Sequence, residues 1–201
     1  MSGTKQKAQS VSKAEAGCNG TAKPVDSRAV RTRALIDNAF VVLLLRRSYD
    51  NMSVSDITKK AGVGRVTFYA HFTSKDDLLR SQLQRVVLPM LRVQPIEPSL
   101  IDCRRFFEHT RTAPQIYRAL MGGRERNGAR VIRETLEQHL EKALTTPSRC
   151  IDGTIPEPLV KRFLVSVLLG VVAHMLSSEG KTTAEEMQRL FQKLVGSGLG
   201  A

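Results

Sequence analysis

The sequence predicts an all-α fold of about nine helices. From Ser27 onward, apolar residues recur at spacings of three and four, which is the period of one helix face. Three of these runs are preceded by residues with capping side chains, Ser53, Ser74 and Thr183. No segment shows a convincing alternation of apolar and polar residues, the pattern of a half-buried strand.

Residues 1–26 are predicted to form a flexible basic arm. They are rich in Ser, Gly, Ala, Lys and Thr and contain almost no large apolar side chain. Such a segment cannot bury enough apolar surface to offset the entropy lost on ordering. We therefore expect the folded part of the chain to begin near Ser27.

The first predicted helix runs over about residues 28–47. Its apolar stripe repeats at helical spacing and consists of Leu35, Ile36, Ala39, Phe40, Leu43 and Leu44. The residues Tyr49, Asp50 and Asn51 then indicate a turn, so a new element is expected to begin directly after them.

Two short helices joined at a glycine follow this turn. Ser53 offers a cap oxygen to the first helix, whose predicted buried face is Val54, Ile57 and Ala61. Gly62 can take the left-handed conformation that ends this helix, and a second helix is expected over about residues 64–70. This length and punctuation are typical of a helix-turn-helix, whose second helix enters the major groove of DNA.

A further helix is predicted to begin at Ser74, with Asp77 as its capping-box partner, and to kink or end at Pro89. Five more helices are expected, over about residues 99–111, 114–121, 126–144, 156–178 and 183–195. The apolar stretch from Phe163 to Leu176 is too short to span a bilayer. It is predicted to be a buried helix, and no membrane partner is expected.

The charge is strongly positive and unevenly distributed. The formal net charge is +12 and the sequence pI is about 10.1. Residues 1–80 carry 14 basic and 7 acidic side chains, whereas residues 131–201 carry 8 of each. A positive field on the N-terminal part of the chain indicates a polyanionic partner, either nucleic acid or an anionic membrane.

Nothing in the sequence indicates catalysis, a metal or a cofactor. The four histidines are dispersed, and there is neither a glycine-rich phosphate loop nor a nucleophile elbow. The three cysteines, Cys18, Cys103 and Cys150, have no metal-type spacing. Their odd number argues against a disulfide scaffold, and the N-terminus has no secretory apolar region. We therefore expect a cytoplasmic protein that is not an enzyme.

The segment from Thr32 to Leu79 resembles the DNA-binding domain of the TetR family of regulators. The matching features are the long first helix that ends near Arg47-Ser48-Tyr49 and the stretches Met52–Val63, Thr67–Phe72 and Ser74–Leu79. The resemblance implies a three-helix DNA-binding domain over residues 27–75. It implies a helical regulatory and dimerisation domain over residues 76–201.

The resemblance also implies which residues contact DNA. Base edges are expected to be read at the start of the second short helix, by Arg65, Val66 and Thr67. Backbone phosphates are expected to be held by side chains around both short helices, namely Ser53, Ser55, Tyr69, His71 and Lys75. Phe68, Phe72 and Ile57 are assigned to packing.

Several of these residues also have a purely structural alternative. Ser53 caps a helix in any case, Tyr69 can instead be a core residue, and His71 can be only a neighbour of Phe72. Arg31 and Arg33 either add phosphate or minor-groove contacts or are simply solvated.

The C-terminal half resembles a TetR branch that includes regulators of dihydroxyacetone kinase, although Met175 stands where that branch usually has Trp. A small-molecule effector pocket is expected among Phe106, Phe107, His109, Tyr117, Leu120 and Met121. The alternative is that this aromatic stripe is core. A dimer interface is expected on the last two helices, at Leu164, Leu168, Val171, Val172, Leu190 and Leu194.

Taken together, these features predict a ligand-responsive transcriptional regulator. Repression is the majority mode of the resembled family, so a repressor is expected. We expect it to bind a palindromic double-stranded DNA operator as a homodimer and to be released by a small-molecule effector. The alternative is a coactivator or adaptor that keeps the TetR-like shell and acts through protein contacts without binding DNA.

Overall fold

The computed structural model describes residues 27–93, 101–143, 155–178 and 181–199. Within these ranges the chain forms nine α-helices and one short antiparallel pair of strands, so the predicted all-α fold is confirmed. The predicted basic arm, Cys18 and Cys150 lie outside the described residues.

The first four helices are α1 (Ser27–Leu44), α2 (Val54–Ala61), α3 (Arg65–Tyr69) and α4 (Lys75–Gln82). A π-helical turn, Leu83–Val87, and a 3-10 turn, Leu88–Met90, prolong α4, so its winding ends beside Pro89 as predicted. The other helices are α5 (Arg104–Thr112), α6 (Pro114–Met121), α7 (Asn127–Ala143), α8 (Glu157–Ser177) and α9 (Ala184–Leu199).

The two strands, β1 (Arg92–Val93) and β2 (Ile101–Asp102), were not expected from the sequence. A buried glutamine explains why the chain is extended at β2 and why α5 begins later than predicted. Gln188 accepts a hydrogen bond from the Cys103 backbone N–H (2.8 Å) and donates one to the Ile101 carbonyl (3.0 Å). These backbone groups are thus satisfied by a side chain of α9 instead of a helical turn.

The first three helices pack around a small aromatic core. Phe68 of α3 and Ile57 of α2 are fully buried, and the Phe68 ring lies 5.7 Å from the ring of Phe72. Tyr49 is equally buried and meets Phe40 of α1 edge to face at 6.2 Å. The packing roles predicted for Phe68, Phe72 and Ile57 agree with this burial.

The turn between α1 and α2 is bonded to the junction between α6 and α7. The Tyr49 N–H donates to the Ala119 carbonyl at 2.9 Å. The Asp50 carboxylate accepts hydrogen bonds from the backbone N–H groups of Glu125, Arg126 and Asn127, at 3.0, 3.0 and 3.2 Å. Asp50 therefore caps the N-terminus of α7 from another part of the chain, where a negative charge is favoured.

A second link joins α4 to α7. Asp76 accepts hydrogen bonds from the Tyr49 hydroxyl and from the Arg130 guanidinium, the latter at 2.8 Å. Partial burial by itself would raise the pKa of Asp76, but these two hydrogen bonds outweigh it and lower the pKa below its ordinary value. The ionised carboxylate thus ties the first helices to the C-terminal bundle.

In the C-terminal bundle α8 packs against α5, α6, α7 and α9. This helix has the length and apolar composition of a membrane span. Its buried residues belong to the protein core and are Val160, Leu164, Val165, Leu168, Leu169, Val171, Val172 and Met175. Most of its apolar character is therefore explained by packing within the chain.

The structure corrects four of the residues predicted for the dimer interface. Leu164, Leu168, Val171 and Val172 are at most 3% exposed and belong to the protomer's own core. Side chains buried this deeply cannot reach a second copy. The outward face of α8 is instead formed by its exposed residues Leu159, Arg162, Ser166, Gly170, Ala173 and His174. On α9, Leu190 is half-buried and Leu194 is 45% exposed.

The structure places most of the residues predicted for the ligand pocket inside the protein. Phe106, Phe107, Tyr117 and Leu120 are at most 4% exposed. The Phe106 and Tyr117 rings meet edge to face at 5.7 Å, and His109 Nδ1 lies 2.7 Å from the Tyr117 hydroxyl. Burial lowers the pKa of His109 and raises that of Tyr117. These side chains fill space between helices, whereas Met121 lines a groove that is described below.

The position of α3 is expected to depend on Phe68 and not on its neighbour Val66. Phe68→Ala should lower the free energy of unfolding by about 3–5 kcal/mol, because it leaves a cavity in the aromatic core. Val66→Ala, at a side chain that is 86% exposed, is the matched control and should change it by less than about 0.5 kcal/mol. Urea denaturation followed by circular dichroism measures both, and equal losses would contradict this packing.

Candidate nucleic-acid interface

The start of α2 is held by a complete capping box. The Ser53 hydroxyl accepts the Asp56 N–H at 3.2 Å, and the Asp56 carboxylate accepts the Ser53 N–H at 2.9 Å. Asp56 also lies 3.3 Å from the Arg47 guanidinium. The hydrogen bonds from Ser53 lower the pKa of Asp56, so the carboxylate stays ionised at neutral pH. Ser53 and Ser55 both lie at the surface where phosphate contacts are predicted.

Gly62 sets the angle between α2 and α3. Its φ of 68° and ψ of 30° are in the left-handed region, and its N–H bonds back to carbonyls of the last turn of α2. Gly64, in extended conformation, then precedes α3. Because a side chain at Gly62 would strain this conformation, the predicted helix-turn-helix depends on a glycine here.

α3 presents one face to the solvent and one to the core. Val66 is 86% exposed and Tyr69 is 54% exposed, whereas Phe68 between them is fully buried. Arg65 is exposed and Thr67 is partly exposed at the same end of the helix. The structure thus brings together the residues that were predicted to read base edges.

The alternatives for Tyr69 and His71 are also resolved in part. Tyr69 is not a core residue, although one edge of its ring meets Phe68 at 5.5 Å. His71 is half-buried, and its ring centroid lies 6.4 Å from that of Phe72. The Tyr69 hydroxyl is therefore free to approach a phosphate, whereas His71 is in part a packing residue.

Lys75, a predicted phosphate contact, has an internal role in this structure. Its ammonium donates to the carbonyls of Tyr49 (2.8 Å) and Met52 (2.7 Å) and lies 4.2 Å from the centre of the Tyr49 ring. Burial lowers its pKa from the ordinary value, since the charged form is partly desolvated. Lys75 thus fixes the turn that precedes α2.

The exposed surface around α2 and α3 is positive. Lys59, Lys60 and Arg65 are exposed, and none of them forms an ion pair with a carboxylate in the described ranges. Arg33, in contrast, donates to Ser81 and lies 4.8 Å from the centre of the Phe72 ring, so it is used in packing. Arg31 is exposed at the outer side of α1.

No group of three or more metal-ligating side chains is found among the described residues. Cys103 is buried, and burial raises the pKa of its thiol. The expectation that the protein is not an enzyme and needs no cofactor therefore stays a prediction from the sequence.

Comparison with known proteins adds to this geometry. Residues 36–81, which contain α2, α3, the second half of α1 and most of α4, match the family model described as bacterial regulatory proteins, tetR family. The chain carries a TetR-family DNA-binding domain. The predicted resemblance over Thr32–Leu79 is thus confirmed.

Two relatives found by sequence comparison align with only part of this chain. The uncharacterized HTH-type transcriptional regulator YxbF of Bacillus subtilis is 42% identical over 64 residues, which are 31% of this chain and 17% of that protein. An uncharacterized HTH-type transcriptional regulator of Haemophilus influenzae is 28% identical over 105 residues, 48% of this chain and 50% of that protein. The aligned segments therefore span half or less of these relatives.

Solved structures of TetR-type regulators share the whole fold. A TetR transcriptional regulator from Streptococcus agalactiae superposes with a TM-score of 0.55 at 24% identity, covering 85% of this chain and 96% of that chain. The dihydroxyacetone kinase operon activator DhaS superposes with a TM-score of 0.52 at 16% identity, covering 85% and 97%. At these identities the likeness concerns the fold alone.

Sequence reasoning missed the network of hydrogen bonds around the α1–α2 turn. The sequence indicates Tyr49 and Asp50 only as turn residues, and it gives no tertiary role to Asp76. No local signal identifies their partners, because Arg130 and residues 125–127 are more than fifty positions away.

Lys75→Ala is expected to destabilise the fold of the TetR-family domain. It leaves the Tyr49 and Met52 carbonyls without their charged donor, which should cost about 1–3 kcal/mol of unfolding free energy. Lys60→Ala, at an exposed lysine of α2, is the control and should cost less than about 0.5 kcal/mol. Thermal unfolding in the absence of DNA measures both. An unchanged stability of Lys75→Ala would mean that the ammonium is free to hold phosphate, as the sequence predicted.

Proposed function

We propose that the protein is a transcriptional regulator that binds a palindromic operator as a homodimer, acts as a repressor and is released by a small-molecule effector. The observation that carries this proposal is the exposure of Val66, at 86%, on a helix whose next buried residue, Phe68, is fully enclosed. Because the buried side of α3 is fixed, the apolar side chain of Val66 stays in solvent and adds no stability to the free protein. Against a thymine methyl group in the major groove it gains a contact.

The polar neighbours of Val66 suit the same surface. Arg65 can donate two hydrogen bonds to the O6 and N7 atoms of guanine. The Thr67 hydroxyl can form a hydrogen bond with either a donor or an acceptor group on a base edge. The Tyr69 hydroxyl, Ser55 and the N-terminus of α2 are suited to phosphates, which fix the register of the helix without reading sequence. We assign base readout to Arg65, Val66 and Thr67, and phosphate contact to Ser53, Ser55, Tyr69 and His71.

The outward face of α8 and α9 supports a two-fold dimer. Leu159 of α8 is 57% exposed and Leu194 of α9 is 45% exposed, and Gly170 is also exposed on α8. Beyond the neighbouring backbone of α8, no atom lies within 4 Å of the position that a Cβ at Gly170 would take. Small residues let helices of two copies approach closely, and such a pair would present two α3 helices to successive major grooves, about 34–36 Å apart.

Repression is the simpler mode for such a dimer. It requires only that the protein occupy a site that overlaps a promoter, whereas activation requires a further contact with the transcription machinery. An effector that binds a conformer with wrongly spaced α3 helices more tightly would release the operator. With DNA as its partner, the protein would act in the cytoplasm.

The full chain is expected to bind the DNA that flanks its own gene, with an affinity that falls linearly with salt on a log–log scale. Arg65→Ala should cost about 1–3 kcal/mol at one base position and relax the preference for that base. Lys193→Ala, which removes an exposed charge of α9, is the control and should leave binding unchanged. Electrophoretic mobility shifts with specific and random duplexes measure these effects.

Two outcomes of this experiment count against the proposal. Equal losses on specific and random DNA for Arg65→Ala would remove Arg65 as a base reader. Failure of the unmodified chain to bind any flanking duplex at low salt would favour the adaptor alternative.

Gly170→Glu is expected to abolish the dimer without unfolding the chain. The substitution places a charge in the middle of the proposed interface, and the open space around Gly170 means that nothing in the protomer is displaced. Gln138→Glu, on an exposed position of α7, is the control with an equal change of charge. Light scattering should give about twice the chain mass of 22.3 kDa for the control and the single-chain mass for Gly170→Glu. A dimer of unchanged mass in Gly170→Glu would place the interface elsewhere.

A further inference from the structure

A groove of about 690 Å3 lies between the α6–α7 junction and the C-terminal half of α8. This volume is in the usual range for small-molecule sites. The groove is separate from the aromatic cluster of Phe106 and Tyr117, and of the residues predicted for a ligand pocket it contains Met121. We call it the junction groove.

Every ionisable side chain that lines the junction groove is an arginine. Two of the four connect its walls: Arg118 donates to the Leu176 carbonyl at 2.7 Å, and Arg133 donates to the Ser166 hydroxyl at 2.9 Å. Arg118 thereby satisfies a carbonyl at the end of α8, which would otherwise contribute negative charge to the groove.

The other two, Arg124 and Arg126, are exposed. Within the described residues their guanidinium groups have neither a hydrogen bond nor an ion pair, and their sequence neighbour Glu125 accepts a bond from the Asn127 side chain. Two guanidinium groups without a carboxylate, beside a groove, are suited to a bidentate carboxylate or phosphate.

The remaining wall of the groove is apolar. It is formed by Met121, Ala129, Leu169, Ala173 and Leu176. A ligand that uses both parts of the groove therefore needs an anionic head for Arg124 and Arg126 and an apolar body for this wall. An inorganic anion would leave the wall uncovered, and a neutral hydrocarbon would leave the arginines unused.

The backbone that carries Arg124 and Arg126 is the segment that Asp50 holds. Asp50 accepts N–H groups on either side of Arg126, whose φ of 55° is unusual for a residue other than glycine. A side chain at Gly123 would collide with the Asp50 carboxylate, so the junction rests directly on it. Any ligand that draws the two guanidinium groups into the groove acts on this contact.

We propose that the junction groove binds a small amphipathic organic anion, with a carboxylate or phosphate head on an apolar body, and that binding is transmitted through Asp50 to the turn before α2. This deepens the proposed function and rests on it, because it gives the chemistry of the effector and its route to the helix-turn-helix.

Titration calorimetry of the full chain tests the ligand class. The probes are dodecanoate and dodecyl phosphate below their micelle-forming concentrations. Dodecan-1-ol is the control for the apolar body without an anionic head, and inorganic phosphate is the control for an anionic head without the body. At least one amphipathic anion should bind, and the double variant Arg124→Gln/Arg126→Gln should weaken it about tenfold or more, whereas Arg105→Gln, an exposed arginine of α5, should not.

Four results would overturn the ligand class. They are no binding of either amphipathic anion, equal binding of dodecan-1-ol, equal binding of inorganic phosphate, and an unchanged affinity in the double variant. The first result would also arise if a second copy of the chain fills the groove. Dodecanoate and dodecyl phosphate compared with each other distinguish a carboxylate head from a phosphate head.

Amide hydrogen exchange tests the transmission without DNA. The bound anion should change exchange in peptides that cover the α1–α2 turn and α2 in the unmodified chain. In Asp50→Asn the anion should still bind, because Arg124, Arg126 and the apolar wall are unchanged, and its affinity should shift because the contact on which it acts is weakened. Exchange in these peptides should no longer respond. A response in Asp50→Asn equal to that of the unmodified chain would overturn the route.

Loss of operator binding and failure of the groove are separable. A chain that binds the anion but no DNA contradicts the proposed function and leaves the calorimetry and exchange results valid. A chain that binds its operator but no amphipathic anion contradicts the junction groove alone.

Discussion

Tyr49, together with its neighbour Asp50, connects the two halves of this protein. Its ring is fully buried against Phe40, its hydroxyl bonds to Asp76, and its N–H bonds to the Ala119 carbonyl of α6. Its own carbonyl accepts the Lys75 ammonium. The side chain and the two backbone polar groups of one residue thus join α1, α4 and α6. Burial and the Asp76 partner raise the pKa of the hydroxyl, so it remains a donor.

This connection makes the orientation of α3 a property of the whole chain. α3 has five residues and too few internal hydrogen bonds to be stable alone, so its direction is fixed by Phe68 in the aromatic core. That core is bounded by the turn that Tyr49, Lys75 and Asp50 hold. A change at the α6–α7 junction therefore has a short physical path to the surface that carries Arg65 and Val66, through bonds that have defined partners and lengths.

The features that the sequence predicted well are those that depend on neighbours within a few positions. The cap at Ser53, the left-handed Gly62 and the opposite exposures of Val66 and Phe68 all follow from local geometry and helical period. The resemblance of the segment Thr67–Phe72 to TetR-family regulators then indicated that this surface contacts DNA. Helix ends differ from prediction by a few residues, because tertiary partners such as Gln188 decide where a turn gives way to extended chain.

The sequence by itself determined the all-α class, the helix-turn-helix and which residues share a helix face. Only the tertiary structure decided which face of each helix is covered. Leu164 and Leu168 form a good apolar stripe, yet they are buried in the protomer, and the side of α8 with Gly170 faces outward. It also decided that Lys75 turns inward and that Arg124 and Arg126 share one groove. Periodicity gives the spacing of side chains along a helix, whereas their partners come from contacts between residues distant in the chain, which no local pattern encodes.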